Sequence, residues 1–303
     1  MQTNTFFSTS LEKTLVSILG NSVKIIEINR ITGGDINDAF GLTLNDGSQL
    51  FMKCNKKDNI SFFHTEAAGL KAIAQTNTIG TPHILSIGTE DSSVGCSFML
   101  LEFIKEKRRI SNYWETFAHQ LAAMHQAPIE NFVPAGSYGF MENNYIGASP
   151  QINSAHQSWT SFFRDCRLEP QLKAAEHYFH ANDLKKFIRL LDQTDYFLKE
   201  PEHPSLLHGD LWSGNVITGN DGRAWLIDPA VYVGHAEADI AMTELFGRFP
   251  QTFYEAYQEV SPLQPEYERR RDLYNLYHLL NHLNLFGAAY LASVKRILGK
   301  YIP

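Results

Sequence analysis

His208, Asp210 and Asn215 stand at the spacing H-x-D-x-x-x-x-N within His208-Gly209-Asp210-Leu211-Trp212-Ser213-Gly214-Asn215, and Asp228 follows at the end of the apolar run 224–227. Those side chains suit phosphoryl transfer from a nucleotide. The chemistry needs a carboxylate beside the acceptor hydroxyl. It also needs hard oxygen ligands for Mg2+, which prefers carboxylate, amide and phosphate oxygens in an octahedral array. Asp210 is the candidate base, Asn215 and Asp228 the candidate metal ligands, and His208 a scaffold for the loop. The turn Gly219-Asn220-Asp221-Gly222 would fold the chain back and return Asp228 towards Asn215. A lone loop aspartate is structural or solvated about nine times in ten. The joint spacing carries the reading.

The phosphates need a complement. Lys53 ends the strand-like run Leu50-Phe51-Met52-Lys53, and Glu66 lies within the next helical pattern. A lysine on a strand and a glutamate on the adjacent helix can pair and hold the amine towards the α- and β-phosphates. Either alone would read as a solvated charge. Gly33 and Gly34 turn between two strands ahead of the Lys53 strand, where backbone N–H groups could cradle phosphate oxygens. The segment Leu101-Glu102-Phe103-Ile104 offers backbone amides to an adenine edge and apolar side chains to its faces. A plain buried strand is the alternative there.

These residues require two different supports. Residues 10–19 show helical apolar spacing. Strands are expected over 23–31, 39–44 and 49–54, with Asn45-Asp46-Gly47 as a hairpin turn. A helix over 61–74 and strands over 84–88 and 96–103 follow. Beyond residue 103 the pattern is mostly helical: 112–125, 160–179, 184–198, 237–246, 253–260 and 266–298, with a strand-and-loop island over 204–227. The expectation is an α+β, protein-kinase-like two-lobed fold. A small antiparallel-sheet N-lobe with one helix (1–103) would face a large, mostly helical C-lobe (104–303), with the ligand cleft between them.

Composition narrows the classes. The chain has 303 residues, too many for one compact core, and 44% are hydrophobic. With 26 basic and 33 acidic residues the net charge is −7, against nucleic acid as a partner. The basic run 105–109 is short and interrupted, the pattern of a surface turn. Cys54, Cys96 and Cys166 are widely spaced and odd in number, as in a reduced cytoplasmic chain. No secretory leader and no apolar run of membrane-spanning length is read. His278 and His282 have helical metal spacing, but no third ligand follows, so zinc is rejected.

From Gly33 to about Gly287 the chain resembles the fructosamine kinase (ketosamine-3-kinase) family, within the aminoglycoside phosphotransferase and protein-kinase-like superfamily. The resemblance rests on the 208–215 motif with its tryptophan, on Asp228-Pro229-Ala230, and on Glu237-Ala238-Asp239-Ile240-Ala241-Met242. Tyr138-Gly139-Phe140, Asn144-Tyr145-Ile146-Gly147, Pro150-Gln151-Ile152-Asn153, Trp159, Phe163 and Leu280-Asn281-His282-Leu283-Asn284-Leu285-Phe286-Gly287 add to it. It implies ATP- and Mg2+-dependent phosphorylation of the 3-hydroxyl of a ketosamine, small or protein-bound, in deglycation repair. An aminoglycoside- or choline-type acceptor, or an inactive nucleotide-binding module, is the alternative. It further implies that Asp239 braces the catalytic loop and that Trp212 and His282 line the acceptor pocket, with core packing as the alternative for the last two. No cysteine stands between Gly33 and Phe40, so the disulfide switch of some family members is not expected. Pro229 after the metal aspartate implies less in–out movement of that segment. No Ala-Pro-Glu activation segment is present.

Overall fold

Alternation along the third strand decides how the first lobe is built. In the computed structural model, which describes residues 10–20, 22–31, 37–90 and 96–303, β1 (Ile25–Ile31), β2 (Asp38–Leu44), β3 (Gln49–Lys56), β4 (Ile84–Glu90) and β5 (Cys96–Glu102) form one antiparallel sheet in the order β1-β2-β3-β5-β4. Successive side chains of a strand face opposite sides. Leu50, Met52 and Cys54 of β3, with Phe98 and Leu100 of β5, meet Leu11 and Leu15 of α1 (Ser10–Leu19). Phe51 of β3, with Met99 and Leu101 of β5, meets Phe63, Ala67 and Leu70 of α2 (Ile60–Gln75). Lys53 shares the parity of Phe51, so it faces α2. Glu66 is one turn from Phe63 and Leu70, so it faces the sheet. α2 ends at Thr76, and Asn77 takes the left-handed φ of 55° that closes many helices.

The sheet thus carries a helix on each face. The N-terminal helix, legible as a helix in the sequence, is added to the single helix expected for this lobe.

The remaining chain is mostly helical: α3 (Tyr113–His125), α4 (Trp159–Phe163), α5 (Glu169–Ala175), α6 (Ala181–Asp192), α7 (Thr194–Phe197), α8 (Glu237–Thr243), α9 (Gln251–Val260), α10 (Tyr267–Phe286) and α11 (Leu291–Tyr301). A π-type turn at 164–168 joins α4 to α5. The helix expected over 266–298 breaks in two at Gly287, whose φ of 85° no continuing helix tolerates. Three small ribbons sit among the helices. β6 (Asn144–Ile146) pairs with β7 (Ser149–Gln151), β9 (Val216–Thr218) with β10 (Ala224–Leu226), and β8 (Ser205–Leu207) with β11 (Tyr232–Gly234). One aromatic core, including Phe117, Trp159, Phe163, Phe253 and Tyr274, runs beneath them.

Several contacts tie the lobes, two of them at glycines. Leu226 N donates to Gly80 O at 2.9 Å, and a Cβ on Gly80 would lie 2.5 Å from the Trp225 ring. Across the cleft, Gly69 of α2 lets Pro229 and Val231 approach to 3.3 and 3.1 Å of where a Cβ would stand. Among the described residues no helix is long and apolar enough to cross a membrane.

Candidate active site

The loop after β8 owes its shape to Gly209 and Asp239. Gly209 has φ 81°, and a Cβ there would meet Ala230 O at 2.0 Å, so only glycine fits. Asp239 in α8 is 1% exposed and accepts from His208 N at 2.7 Å and Gly209 N at 2.9 Å. Behind it His125 Nε2 lies 3.2 Å from the same carboxylate, and His125 Nδ1 lies 2.7 Å from Tyr257 Oη. Because the carboxylate only accepts, Nε2 carries the proton and Nδ1 accepts from tyrosine. Burial alone would raise the Asp239 pKa, but the hydrogen bond from His125 and the Gly209 amide, beside the two imidazole rings, outweigh burial and hold it below the usual value. The His208 ring bridges the loop: Nε2 donates to Ile227 O at 2.9 Å and Nδ1 accepts from Asp210 N at 3.2 Å. Burial depresses its pKa, which keeps this neutral form.

Asp210 and Asn215 meet at the cleft. Asn215 Nδ2 donates to Asp210 O at 2.8 Å and to Asp210 Oδ2 at 3.1 Å. A backbone carbonyl can only accept, so the amide orientation is settled and Asn215 Oδ1 is turned away, uncommitted among the described residues. Burial pushes the Asp210 carboxyl up to about 7; the Asn215 bond opposes this, and Asp228 and Asp239 add to it. The 22% of its side chain still open to the cleft tempers the burial effect.

Asp228 lies beyond the β9–β10 hairpin with φ 54°, a left-handed conformation doubly unfavourable ahead of Pro229. Such strain, on the order of 1–3 kcal/mol, is held by surrounding structure at functional sites. Ala230 N donating to His208 O at 2.8 Å supplies part of that hold. Lys53, 8% exposed, donates to Glu66 Oε1 at 2.6 Å and also to Asp228 Oδ1. Burial would discharge the amine, but Asp228 and Glu66 outweigh burial and hold its pKa above the usual value.

The structure therefore brings together Lys53, Glu66 and Asp228 in one cluster and His208, Asp210, Asn215 and Asp239 in another, across one cleft. The donor chemistry fits Mg2+: one amide oxygen and one carboxylate, both hard ligands, with the coordination completed in such sites by phosphate and water oxygens. Among the described residues no group of three or more His, Cys, Asp or Glu forms a dedicated metal cage.

Glu102 is engaged differently from the expectation of a free adenine contact. Its amide donates to His83 O at 2.9 Å and its carboxylate accepts from His83 N at 2.7 Å. The amides of Phe103 and Ile104 have no protein acceptor among the described residues. Gly33 and Gly34 lie outside the described residues.

Trp212 is 36% exposed beside Asp210, and its ring covers Gly214. Its ring centroid is 6.3 Å from Phe246, which is 4.7 Å from His282. The two residues thus share one aromatic wall, completed by Phe286 and Tyr290 against His282. His282 Nδ1 donates to His278 O at 2.8 Å. Sequence reasoning missed Phe246, the His125–Tyr257 backing of Asp239, and His278, whose Nδ1 lies 3.9 Å from Asp210 Oδ1. Buried histidines one helical turn apart, 278 and 282, were the available signal for the last.

A family model described as fructosamine kinase matches residues 7–303. A Synechocystis protein described as a probable ketoamine kinase is 39% identical over 92% of this chain and 91% of its own. A chloroplastic protein-ribulosamine 3-kinase of Oryza sativa subsp. indica is 39% identical over 93% of this chain and 81% of its own. The crystal structure of a Haemophilus somnus protein described as a fructosamine-3-kinase is similar at a TM-score of 0.87 and 28% identity, covering 98% of both chains.

Proposed function

The chain belongs to the fructosamine kinase family and is an ATP-dependent kinase, and from that premise we propose that it phosphorylates the 3-hydroxyl of a ketosamine with Asp210 as base. The observation that carries the proposal is the pairing of the two clusters. Lys53 joins Glu66 to Asp228 on one side, and Asn215 holds Asp210 on the other. In this reading residues 1–103 bind the nucleotide, and residues 104–303 supply the catalytic loop, metal ligands and acceptor groups. Asn215 Oδ1 and Asp228 would hold Mg2+, which supplies charge neutralisation at the phosphates.

Lys53 neutralises phosphate charge, and Glu66 keeps the amine aimed. Asp210 orients the acceptor hydroxyl and takes its proton late, because the transition state is loose and positioning dominates. Its raised pKa makes it a competent acceptor near neutrality. Trp212 offers its face to the sugar ring, and His282, kept neutral by burial and donating from Nδ1, has Nε2 free to accept from a sugar hydroxyl. A 3-phosphate is a better leaving group than hydroxide from the enaminol form of the adduct. Loss of that phosphate from C3 leaves a conjugated imine at C1, which water hydrolyses to free the amine and a 3-deoxy dicarbonyl sugar, so the outcome is a deglycation repair. An ATP-consuming repair suits the cytoplasmic setting expected from the sequence.

An acceptor panel tests the proposal. ADP release is measured with fructosamine, ribulosamine and erythrulosamine adducts of a small amine and of a lysine-containing protein, against aminoglycosides and choline, and the product phosphate is located by NMR. Ketosamine turnover with phosphate on C3 is expected. Preferential turnover of an aminoglycoside or choline, or Mg-ATP binding with no transfer to any acceptor, overturns it.

A further inference from the structure

The β6–β7 hairpin touches both arms of the Lys53 cluster, and it does so through residues that the chemistry above does not use. On one side, Tyr145 of β6 stacks on Phe62 of α2, with ring centroids 3.8 Å apart and planes 11° apart. Glu66 follows Phe62 by one turn of the same helix. On the other side, buried amides bolt the hairpin to the segment that carries Asp228. Asn144 Nδ2 donates to Val231 O at 2.8 Å, and Gln151 Nε2 donates to Ala230 O at 3.0 Å. Gln151 Nε2 also donates to Asn144 Oδ1 at 2.7 Å, and Tyr277 Oη donates to Gln151 Oε1 at 2.6 Å. The hairpin is therefore fixed to the body of the second lobe and reaches across the cleft with one ring.

We propose that this hairpin is a brace that sets α2 against the Asp228 segment, and that Tyr145 and Phe62 are positioning residues for the Lys53–Glu66–Asp228 cluster. Lys53 can bond both carboxylates at once only if Glu66 and Asp228, on different lobes, are held at a fixed separation. Lys53 itself cannot enforce that separation, because its long side chain accommodates several. Gly69, against Pro229 and Val231, fixes how closely α2 approaches. The Tyr145–Phe62 stack, half-buried and remote in sequence from the catalytic loop, fixes where along the segment it sits. A helix so held needs no phosphorylated activation segment to bring its glutamate inward.

The inference rests on the kinase reading of the site but not on the identity of the acceptor. The test therefore reads nucleotide binding directly. Mg-ATP affinity is measured by calorimetry on Tyr145→Ala, Phe62→Ala, the double variant and Tyr145→Phe, each first shown folded by circular dichroism. ATP and acceptor KM are measured alongside. Loss of an aromatic stack corresponds to about two- to tenfold weaker Mg-ATP binding, with a matching rise in the ATP KM and an unchanged acceptor KM. Tyr145→Phe keeps the ring and should stay within about twofold of the wild type. The double variant should be no worse than the poorer single one, because both remove the same contact. Folded Tyr145→Ala and Phe62→Ala proteins with wild-type Mg-ATP affinity overturn the proposal, as does a melting-temperature loss with no change in nucleotide binding. Should Tyr145→Ala fail to fold, Phe62→Ala removes the stack from the helix side and decides the matter alone.

Discussion

Replacing Asp239 by asparagine keeps the size of the side chain and removes one acceptor. In the native loop the carboxylate serves three donors: His208 N at 2.7 Å and His125 Nε2 at 3.2 Å share Oδ2, and Gly209 N at 2.9 Å takes Oδ1. An asparagine that keeps its oxygen at Oδ2 presents an amino group to the Gly209 amide. One charge-assisted bond, worth roughly 1.5–3 kcal/mol, is then lost and a buried donor left unpaired. The two surviving bonds weaken because the acceptor is neutral. Relief of the buried charge offsets part of this, leaving a cost of about 3 kcal/mol. At this chain length the melting temperature falls roughly 2 °C per kcal/mol, so a drop of about 6 °C is expected. Because the loss falls on the His208 and Gly209 amides just ahead of Asp210, turnover should fall with it while Mg-ATP affinity stays near wild type. Thermal melts followed by circular dichroism and steady-state ADP release check both. A melting point within about 1 °C of wild type, or undiminished turnover, would refute the claim that Asp239 shapes the loop.

His235 gives a pH-dependent outcome away from the chemistry. Burial depresses its pKa to about 4, against Glu237 and Glu200 and with Arg270 assisting. The unfolded chain, titrating near 6.5, then binds more protons, so stability is lost as pH falls through about 6.5 towards 4, by roughly 1.4 kcal/mol per pH unit. His278, depressed to about 3, acts in the same direction, and Asp210, raised to about 7, acts in the opposite one. Urea denaturation between pH 6 and 5 should show His235→Asn lowering the slope by about 1.4 kcal/mol per unit; an unchanged slope counts against the burial argument. Asn215→Ala removes both the amide oxygen ligand and the bond to Asp210, so half-maximal activity should require about tenfold more Mg2+; an unaltered Mg2+ titration would exclude Asn215 as a ligand.

The parts of the site legible in the sequence are those set by local rules. Lys53 and Glu66 are legible as a strand–helix pair, and the Gly219–Gly222 turn as a hairpin, which pairs β9 with β10 and brings Ile227 N to Asn215 O at 3.1 Å. The unread parts depend on contacts between distant segments. His125 and Asp239 are 114 residues apart, and nothing in either neighbourhood marks the bond. β6 and β7 have three residues each, one of them Pro150, too short for alternation to emerge. Asn144 and Gln151 are polar in sequence yet buried, because their partners are carbonyls some 80 residues away. The long apolar helix expected over 266–298 hid its break because Gly287 alone, through its positive φ, divides it.

The most direct test of the two-cluster site is Asp210→Asn, followed by Mg-ATP affinity in calorimetry and single-turnover phosphoryl transfer to a ketosamine in rapid quench. The expected result is nucleotide affinity near wild type with transfer slowed about a thousandfold, the loss of a positioned base. Transfer within about tenfold of wild type would mean that the proton leaves by another route and that the cleft is arranged for something other than this base.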